Sequence, residues 1–378
     1  MTGNSTITLE VVTDKHQLRR FLRVPHRIYA SDPVWIAPLD FEQRQRFSPK
    51  NHFFKHARWC GWVASRDGEP VGRITAQVDE LHQQQYGDGL GYFGMIEAVD
   101  DPEVFAALFG AAENWLREQG MRRVRGPYNL HVNEELGVLV EGFSTPPFVL
   151  MGHGCPWYGQ QVEAQGYAPV KDLLAYHMRP DFDAPRVMIK LVERVSDRVV
   201  VRQLRSDKLL EDAEVMREIF NDAWQHNWSF VPLDPESWLD TVKTLTALMP
   251  SDYIQIAELD GKPVAFMVAL PNINEAARDL GGKLLPFGWL KLLWRLKVKH
   301  LRSARVPLMG VLQEYQHSRL GLTLAFMVID ALRKALHARG VEHVEMGWIL
   351  EDNEGMRNII ETIGGKAYKR YRMYEKTL

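Results

Sequence analysis

The chain repeats itself, and that limits its fold more than any other feature. Residues 62–74 read WVASRDGEPVGRI, and residues 255–267 read QIAELDGKPVAFM. Each is an apolar run, an Asp-Gly pair and a second apolar run, the pattern of a tight β-hairpin. A helix ending in glycine follows in each half. PEVFAALFGAAENWLREQG stops at Gly120, and GLTLAFMVIDALRKALHARG stops at Gly340. Glycine there supplies the left-handed stop. In the second helix Leu322, Ala325, Phe326, Ile329, Leu332 and Leu336 keep one apolar face. A third pair sets EAQGYAPVKDL at 163–173 against ETIGGKAYKRY at 361–371.

The spacings of these pairs differ. Asp67 and Asp260 stand 193 residues apart, Gly120 and Gly340 stand 220 apart, and Gly166 and Gly364 stand 198 apart. The second half therefore carries extra chain between hairpin and helix, at 271–305. The first half carries extra chain between its helix and its closing strands, at 126–157. Insertions collect in loops, and loops carry function. Each half reads strand, helices, hairpin strands, strand, helix, strand, helix, strand. The expected class is α+β (mixed α/β): two tandem domains, each a central mostly antiparallel sheet flanked by helices. The Pro- and Asp-rich stretch RPDFDAP near 180–185 marks the boundary, giving domains at 1–182 and 183–378.

Composition removes several function classes. The hydrophobic fraction is 46% and the net charge is −2, so neither disorder nor a global basic field for nucleic acid is expected. Two cysteines, Cys60 and Cys155, exclude a disulfide scaffold and a Cys-rich zinc module. MTGNSTITLE lacks the marks of a signal peptide, and no uncharged apolar run reaches about 18 residues. The expected compartment is the cytoplasm.

The segment VPLMGVLQEYQHSRLGLTLAFMVIDALRKA is an apolar strand, a short polar loop and a helix. A helix N-terminus of this kind favours an anion through its orphan N–H groups and its dipole. The run Gln316-His-Ser-Arg319-Leu-Gly321 resembles the pyrophosphate loop, Gln/Arg-x-x-Gly-x-Gly/Ala, of the Gcn5-related N-acetyltransferase (GNAT) superfamily. Arg319 stands where the first Gly would be. Downstream, EMGWILEDNEGMRNIIETIGGKAYKRYRMYEK is similar to the superfamily's fifth strand, Asn-headed helix and final strands. Over nearly its full length the chain also resembles a tandem-domain, ceramide-synthase-like bacterial subgroup. The traits are YASDPVWIAPL, GPYNLHVNEELGVLVEGF, FNDAWQHNWSFVPL, LPFGWLKLLWRLK and WILEDNEGM.

The resemblance implies an acyl-CoA-dependent N-acyltransferase with no metal, acting on a small-molecule or lipid (sphingoid-type) amine. It implies that backbone N–H groups of Val311, Leu312 and Gln313 lie at the thioester. It implies that Gln316, His317, Ser318, Arg319, Leu320, Gly321, Leu322 and Thr323 cradle coenzyme A, with Asn353 heading the next helix. The matching junction in the first half, FGMIEAVDDPEVFAAL, has Asp101 as N-cap and Pro102 at the first helical position. Asp101 would fill the orphan N–H groups, and Asp100 and Glu103 would repel a diphosphate. Coenzyme A is therefore expected on the second domain alone. The first is a degenerate copy on the acceptor side.

Acyl transfer to an amine needs a base, a donor for the thioester oxyanion, and an acid for the leaving thiolate. The superfamily's usual acid is a Tyr seven residues after the helix-heading Asn; that place here is Ile360. Glu351 and Asp352 are candidates for the base, although Asp352 could equally cap the helix at 353–363. Tyr315 is a candidate acid, or a packed ring. Glu345, inside a strand, is a further candidate, or a sheet-edge or paired carboxylate. The first-half insertion gathers Asn129, His131, Asn133, Glu134 and Glu135. Glu134 with His131 could form an acceptor-site base, or the stretch could be a solvated turn. His226, Asn227 and Trp228 are candidates for the acceptor pocket.

The stretch 285–302, LPFGWLKLLWRLKVKHLR, sets Trp289, Trp294 and several Leu against Lys and Arg. It is too short and too charged to span a bilayer. It reads as a helix lying in a membrane interface or as an ordinary packed helix with a basic face. Peripheral contact with the inner face of the membrane is the corresponding expectation. The alternative function class is a catalytically degenerate ligand- or partner-binding protein, supported by Ile360 and Arg319 standing in place of Tyr and Gly.

Overall fold

The computed structural model describes residues 6–378 other than Asn133, and no side chain is described at 247 and 248. Both Asp-Gly pairs form hairpin turns. Asp67 and Gly68 have φ of 53° and 81°, and Asp260 and Gly261 have 49° and 80°. Positive φ at both central residues matches the right-handed twist of the joined strands.

The strands in chain order are β1 (Ile7–Val11), β2 (Ala57–Arg66), β3 (Glu69–Asp79), β4 (Leu90–Ala98), β5 (Arg123–Gly126), β6 (Val138–Glu141), β7 (Ala168–Met178), β8 (Val199–Gln203), β9 (Ile254–Leu259), β10 (Lys262–Pro271), β11 (Ser303–Val311), β12 (His343–Leu350) and β13 (Lys366–Thr377). The chain forms two compact units. One holds the chain up to Leu174, Ala277–Leu290 and Lys369–Leu378; the other holds Ala175–Ala276 and Lys291–Tyr368. Neither unit is one stretch of chain, so a single cut near 182 does not describe them. In the first unit β13 pairs with β5, Tyr374 opposite Gly126, and also with β6. Those ladders hold the end of the chain in the first unit.

The units share one topology. In the first, β1 to β4 pair antiparallel in succession and β4 runs parallel to β5. In the second, β8 to β11 pair antiparallel and β11 runs parallel to β12. A parallel pair needs a crossover, supplied here by helices Pro102–Glu118 and Arg319–Ala338. The second helix buries Leu324, Phe326, Val328, Ile329, Leu332 and Leu336. Each such side chain contributes about 1.5–3 kcal/mol of burial.

The parallel pairs are short. β4 and β5 pair only from Leu90–Arg123 to Tyr92–Arg125. β11 and β12 pair only from Ser303–His343 to Val306–Met346, although the strands run on to Val311 and Leu350. The crevice where the carboxyl ends of neighbouring parallel strands part is where α/β sheets take ligands. In the first unit, chain after β5 lies along β4. A Cβ on Gly94 would meet the Tyr128 carbonyl oxygen at 1.8 Å, so only glycine fits there.

Candidate active site

In the second unit the chain leaves β11, makes the 3-10 turn Gln313–Tyr315 and enters helix Arg319–Ala338. Ser318 caps the helix, its Oγ accepting the Gly321 N–H at 3.0 Å. The N–H groups of Arg319 and Leu320, in the first turn, have no acceptor four residues back. The Arg319 side chain is exposed. A Cβ on Gly321 would stand 2.1 Å from the Tyr315 carbonyl oxygen. The helix therefore starts backbone against backbone on the turn. Two orphan N–H groups and one cation together suit a diphosphate.

Three hydrogen bonds fasten helix Leu209–Trp224 to this turn and to β11, and a fourth ties the turn to the end of β11. The Asp222 carboxylate accepts the Gln313 N–H at 2.6 Å. Gln316 Nε2 donates to the Val311 and Ala223 carbonyls at 2.8 and 3.2 Å. Trp224 Nε1 donates to the Met309 carbonyl at 3.0 Å, and its ring meets Trp348 edge-on. Two expectations are corrected. The Leu312 N–H goes to Val264 at 2.9 Å and the Gln313 N–H to Asp222, so neither stands free for a thioester. The Gln316 side chain braces the strand instead of facing the helix end. Sequence reasoning does not single out Asp222 and Trp224, whose one local signal is FNDAW. His317 is exposed with φ 56°; Leu322 and Thr323 continue the helix, where Thr323 Oγ1 donates to the Arg319 carbonyl at 2.7 Å.

Past β12, Glu351 is half-buried, its carbonyl accepting from Arg357 at 2.7 Å, and Asp352 is exposed. Helix Glu354–Thr362 is capped by Asn353, whose Oδ1 accepts the Met356 N–H at 3.1 Å. The cap is thus Asn353 and not Asp352, because the chain turns helical one residue later. Ile360 is fully buried, and a Cβ on Gly365 would press on it at 2.4 Å. Ile360 carries no proton to give to a leaving thiolate. A hydrogen bond with Glu314 raises the pKa of Tyr315, so its hydroxyl keeps its proton at neutral pH. Glu345 is buried 3.7 Å from Arg305 Nε and accepts from the Tyr368 hydroxyl. His226 is exposed, and Asn227 and Trp228 are half-buried at the end of helix Leu209–Trp224.

The first unit closes its corresponding helix end with acid. Asp101 accepts the Glu103 N–H at 2.9 Å and pairs with Arg66 at 2.5 Å. Its polar residues gather instead around Arg46, which ends helix Asp40–Arg46 and is 9% exposed at the side chain. Arg46 lies 3.0 Å from Glu134 and 3.3 Å from Glu135. Asn129 Nδ2 donates to Glu135 at 2.9 Å, and Asn129 Oδ1 accepts the Met95 N–H at 2.8 Å. Met95 has φ 47° beside a break in the β3–β4 register.

This cluster pushes two carboxyls apart. Burial raises Glu134 to about 7, with Arg46 opposing. Burial also works to raise Glu135, but Arg46 and Asn129 hold it below its usual value. Burial lowers His131, which is therefore neutral at pH 7. Neighbouring groups with separated pKa values are the mark of an acid–base assignment. Asn133 lies outside the described residues. A second knot has no local signature in the sequence: Glu97 accepts from the Tyr29 and Tyr158 hydroxyls, the latter at 2.8 Å, with Arg73 at 3.8 Å. Among the described residues no group of three or more His, Cys, Asp and Glu is placed to hold a metal ion.

No family model matches the chain. It is 50% identical over 366 residues to protein YghO of Escherichia coli K12, covering 97% of this chain and 94% of that protein. It is 45% identical over 378 residues to the bacterial ceramide synthase of Caulobacter vibrioides, covering 99% of this chain and 98% of that protein. Among solved structures, a tandem GNAT protein from the clavulanic acid biosynthesis pathway matches with a TM-score of 0.56 at 14% identity. That match covers 98% of each chain. The structural match carries the fold, and the two full-length relatives carry the family. The chain belongs to the ceramide-synthase-like bacterial acyltransferases, a family built on tandem GNAT folds.

Proposed function

We propose that the protein transfers an acyl group from acyl-CoA to the nitrogen of a hydrophobic, lipid-type amine. The observation that supports this most is the start of helix Arg319–Ala338. Two first-turn N–H groups and the exposed Arg319 adjoin the ends where β11 and β12 part from each other. A coenzyme A diphosphate would take those donors, and the acyl-pantetheine arm would follow the parted strands. The acceptor class rests on the relative named a ceramide synthase.

In the reaction the amine nitrogen attacks the thioester carbon, the C–N bond forms and the C–S bond breaks. The amine proton needs an acceptor near neutral pH. Of the candidate carboxyls Glu351, half-buried just past β12 in the same unit, suits that role. The leaving thiolate takes a proton from Tyr315 or from solvent. Binding without turnover is the rival reading, and buried Ile360 favours it.

The test is calorimetry of the full chain with palmitoyl-CoA, followed by incubation with sphinganine and mass spectrometry of the product. Arg319→Ala should weaken palmitoyl-CoA binding by about 1–3 kcal/mol with the melting temperature unchanged. Binding without an N-acyl product would favour the rival. No binding by the parent chain would overturn the proposal.

A further inference from the structure

We infer that the segment 283–299 is a docking surface for an anionic lipid bilayer. Its apolar side chains are turned outward. Leu285 is 80% exposed, Phe287 72%, Trp294 53%, and Trp289, Leu290 and Leu293 are all nearly half exposed. Trp289, Leu290, Leu293 and Trp294 follow the spacing i, i+1, i+4, i+5, so they share one side of helix Gly288–Trp294. Leu292, on the other side, is half-buried, as is Leu296 in the turn that follows the helix. The helix thus turns its larger apolar face toward solvent. Ordinary surface helices present polar residues there.

Charge identifies the occupant. Between residues 280 and 302 the chain has no Asp or Glu and six Lys or Arg. Lys283, Lys297 and Lys299 are exposed around the apolar face, and Val298 between the last two is 61% exposed. Exposed Trp and Leu ringed by cations fit a headgroup layer, with the rings at the acyl boundary and the ammonium groups on phosphates. A protein partner or a second copy of this chain would have to bring both an apolar groove and an acidic rim. Among the described residues no helix is long and apolar enough to cross a membrane, so contact through this segment is superficial. The start of the segment is anchored in the first unit, where the Asp40 N–H donates to the Gly282 carbonyl at 2.8 Å. A Cβ on Gly282 would stand 2.6 Å from the Pro38 carbonyl oxygen, so the anchor requires glycine.

This docking is independent of catalysis and is tested without acyl-CoA. The full chain is sedimented with vesicles of phosphatidylcholine alone and with 30% phosphatidylglycerol. The expected result is pelleting with the anionic vesicles only, weakened by salt. Lys297→Gln with Lys299→Gln should lower the partition coefficient about 25-fold, at about five-fold per cation near the leaflet. Trp289→Ser with Trp294→Ser should abolish pelleting and leave the melting temperature within about 2 °C. If that pair unfolds the protein, the lysine pair decides, because those side chains are exposed. Absence of pelleting by the parent chain overturns the inference. So does pelleting that neither pair weakens, or a dimer in light scattering that the tryptophan pair dissolves.

Discussion

A Cβ placed on Gly321 would stand 2.1 Å from the carbonyl oxygen of Tyr315, so helix Arg319–Ala338 begins flush against the turn that precedes it. The glycine is needed because another backbone occupies the space, not to allow a left-handed conformation. Gly321→Ala should displace the turn and cost about 1–3 kcal/mol, the range for forced overpacking. Gly110, in the other crossover helix, has nothing within 4 Å of its Cβ position. Gly110→Ala should therefore be neutral or stabilise by up to about 1 kcal/mol. Urea denaturation of both variants checks the contrast, and palmitoyl-CoA binding should fall only in the first.

The Arg46 cluster predicts opposite effects for neighbouring glutamates. Glu134 has its pKa raised from 4.5 to about 7, so its bound proton favours the folded state. That stabilisation is complete below pH 4.5 and is lost as pH rises through 7, about 3 kcal/mol at 1.36 kcal/mol per pKa unit. Glu134→Gln cannot ionise, so its stability relative to the parent should rise over pH 4.5–7.5. Glu135 is held below its usual value and stabilises only when ionised. Glu135→Gln should cost about 1–3 kcal/mol at pH 7, and the deficit should shrink toward pH 4. Denaturation series at five pH values resolve the two slopes.

The buried pair of Glu345 and Arg305 lies where β11 and β12 are still registered, 3.7 Å apart and almost without exposure. Removing one partner leaves an uncompensated buried charge. Glu345→Leu alone should cost about 3–5 kcal/mol, and the double change Arg305→Met with Glu345→Leu should recover most of it. A double-mutant cycle by thermal unfolding measures the coupling.

Much of the fold was legible in order along the chain. Asp-Gly turns, glycine stops and a 3.6-residue apolar period are local signals, and they located both hairpins and both crossover helices. The tandem plan followed from finding them twice. The strand, polar turn and helix around 316–323 were also legible, because they follow directly upon one another. Tertiary structure decided which donors there remain available. Asp222 takes the Gln313 N–H across 91 residues of sequence. It also set the charge states of the first unit, where Arg46 meets Glu135 from 89 residues away. The end of the chain folds with β5 and β6, since ladder hydrogen bonds depend on register and not on sequence distance. Whether Trp289 and Trp294 face solvent or core was likewise open in the sequence, because amphipathic periodicity tells two faces apart without saying what covers each.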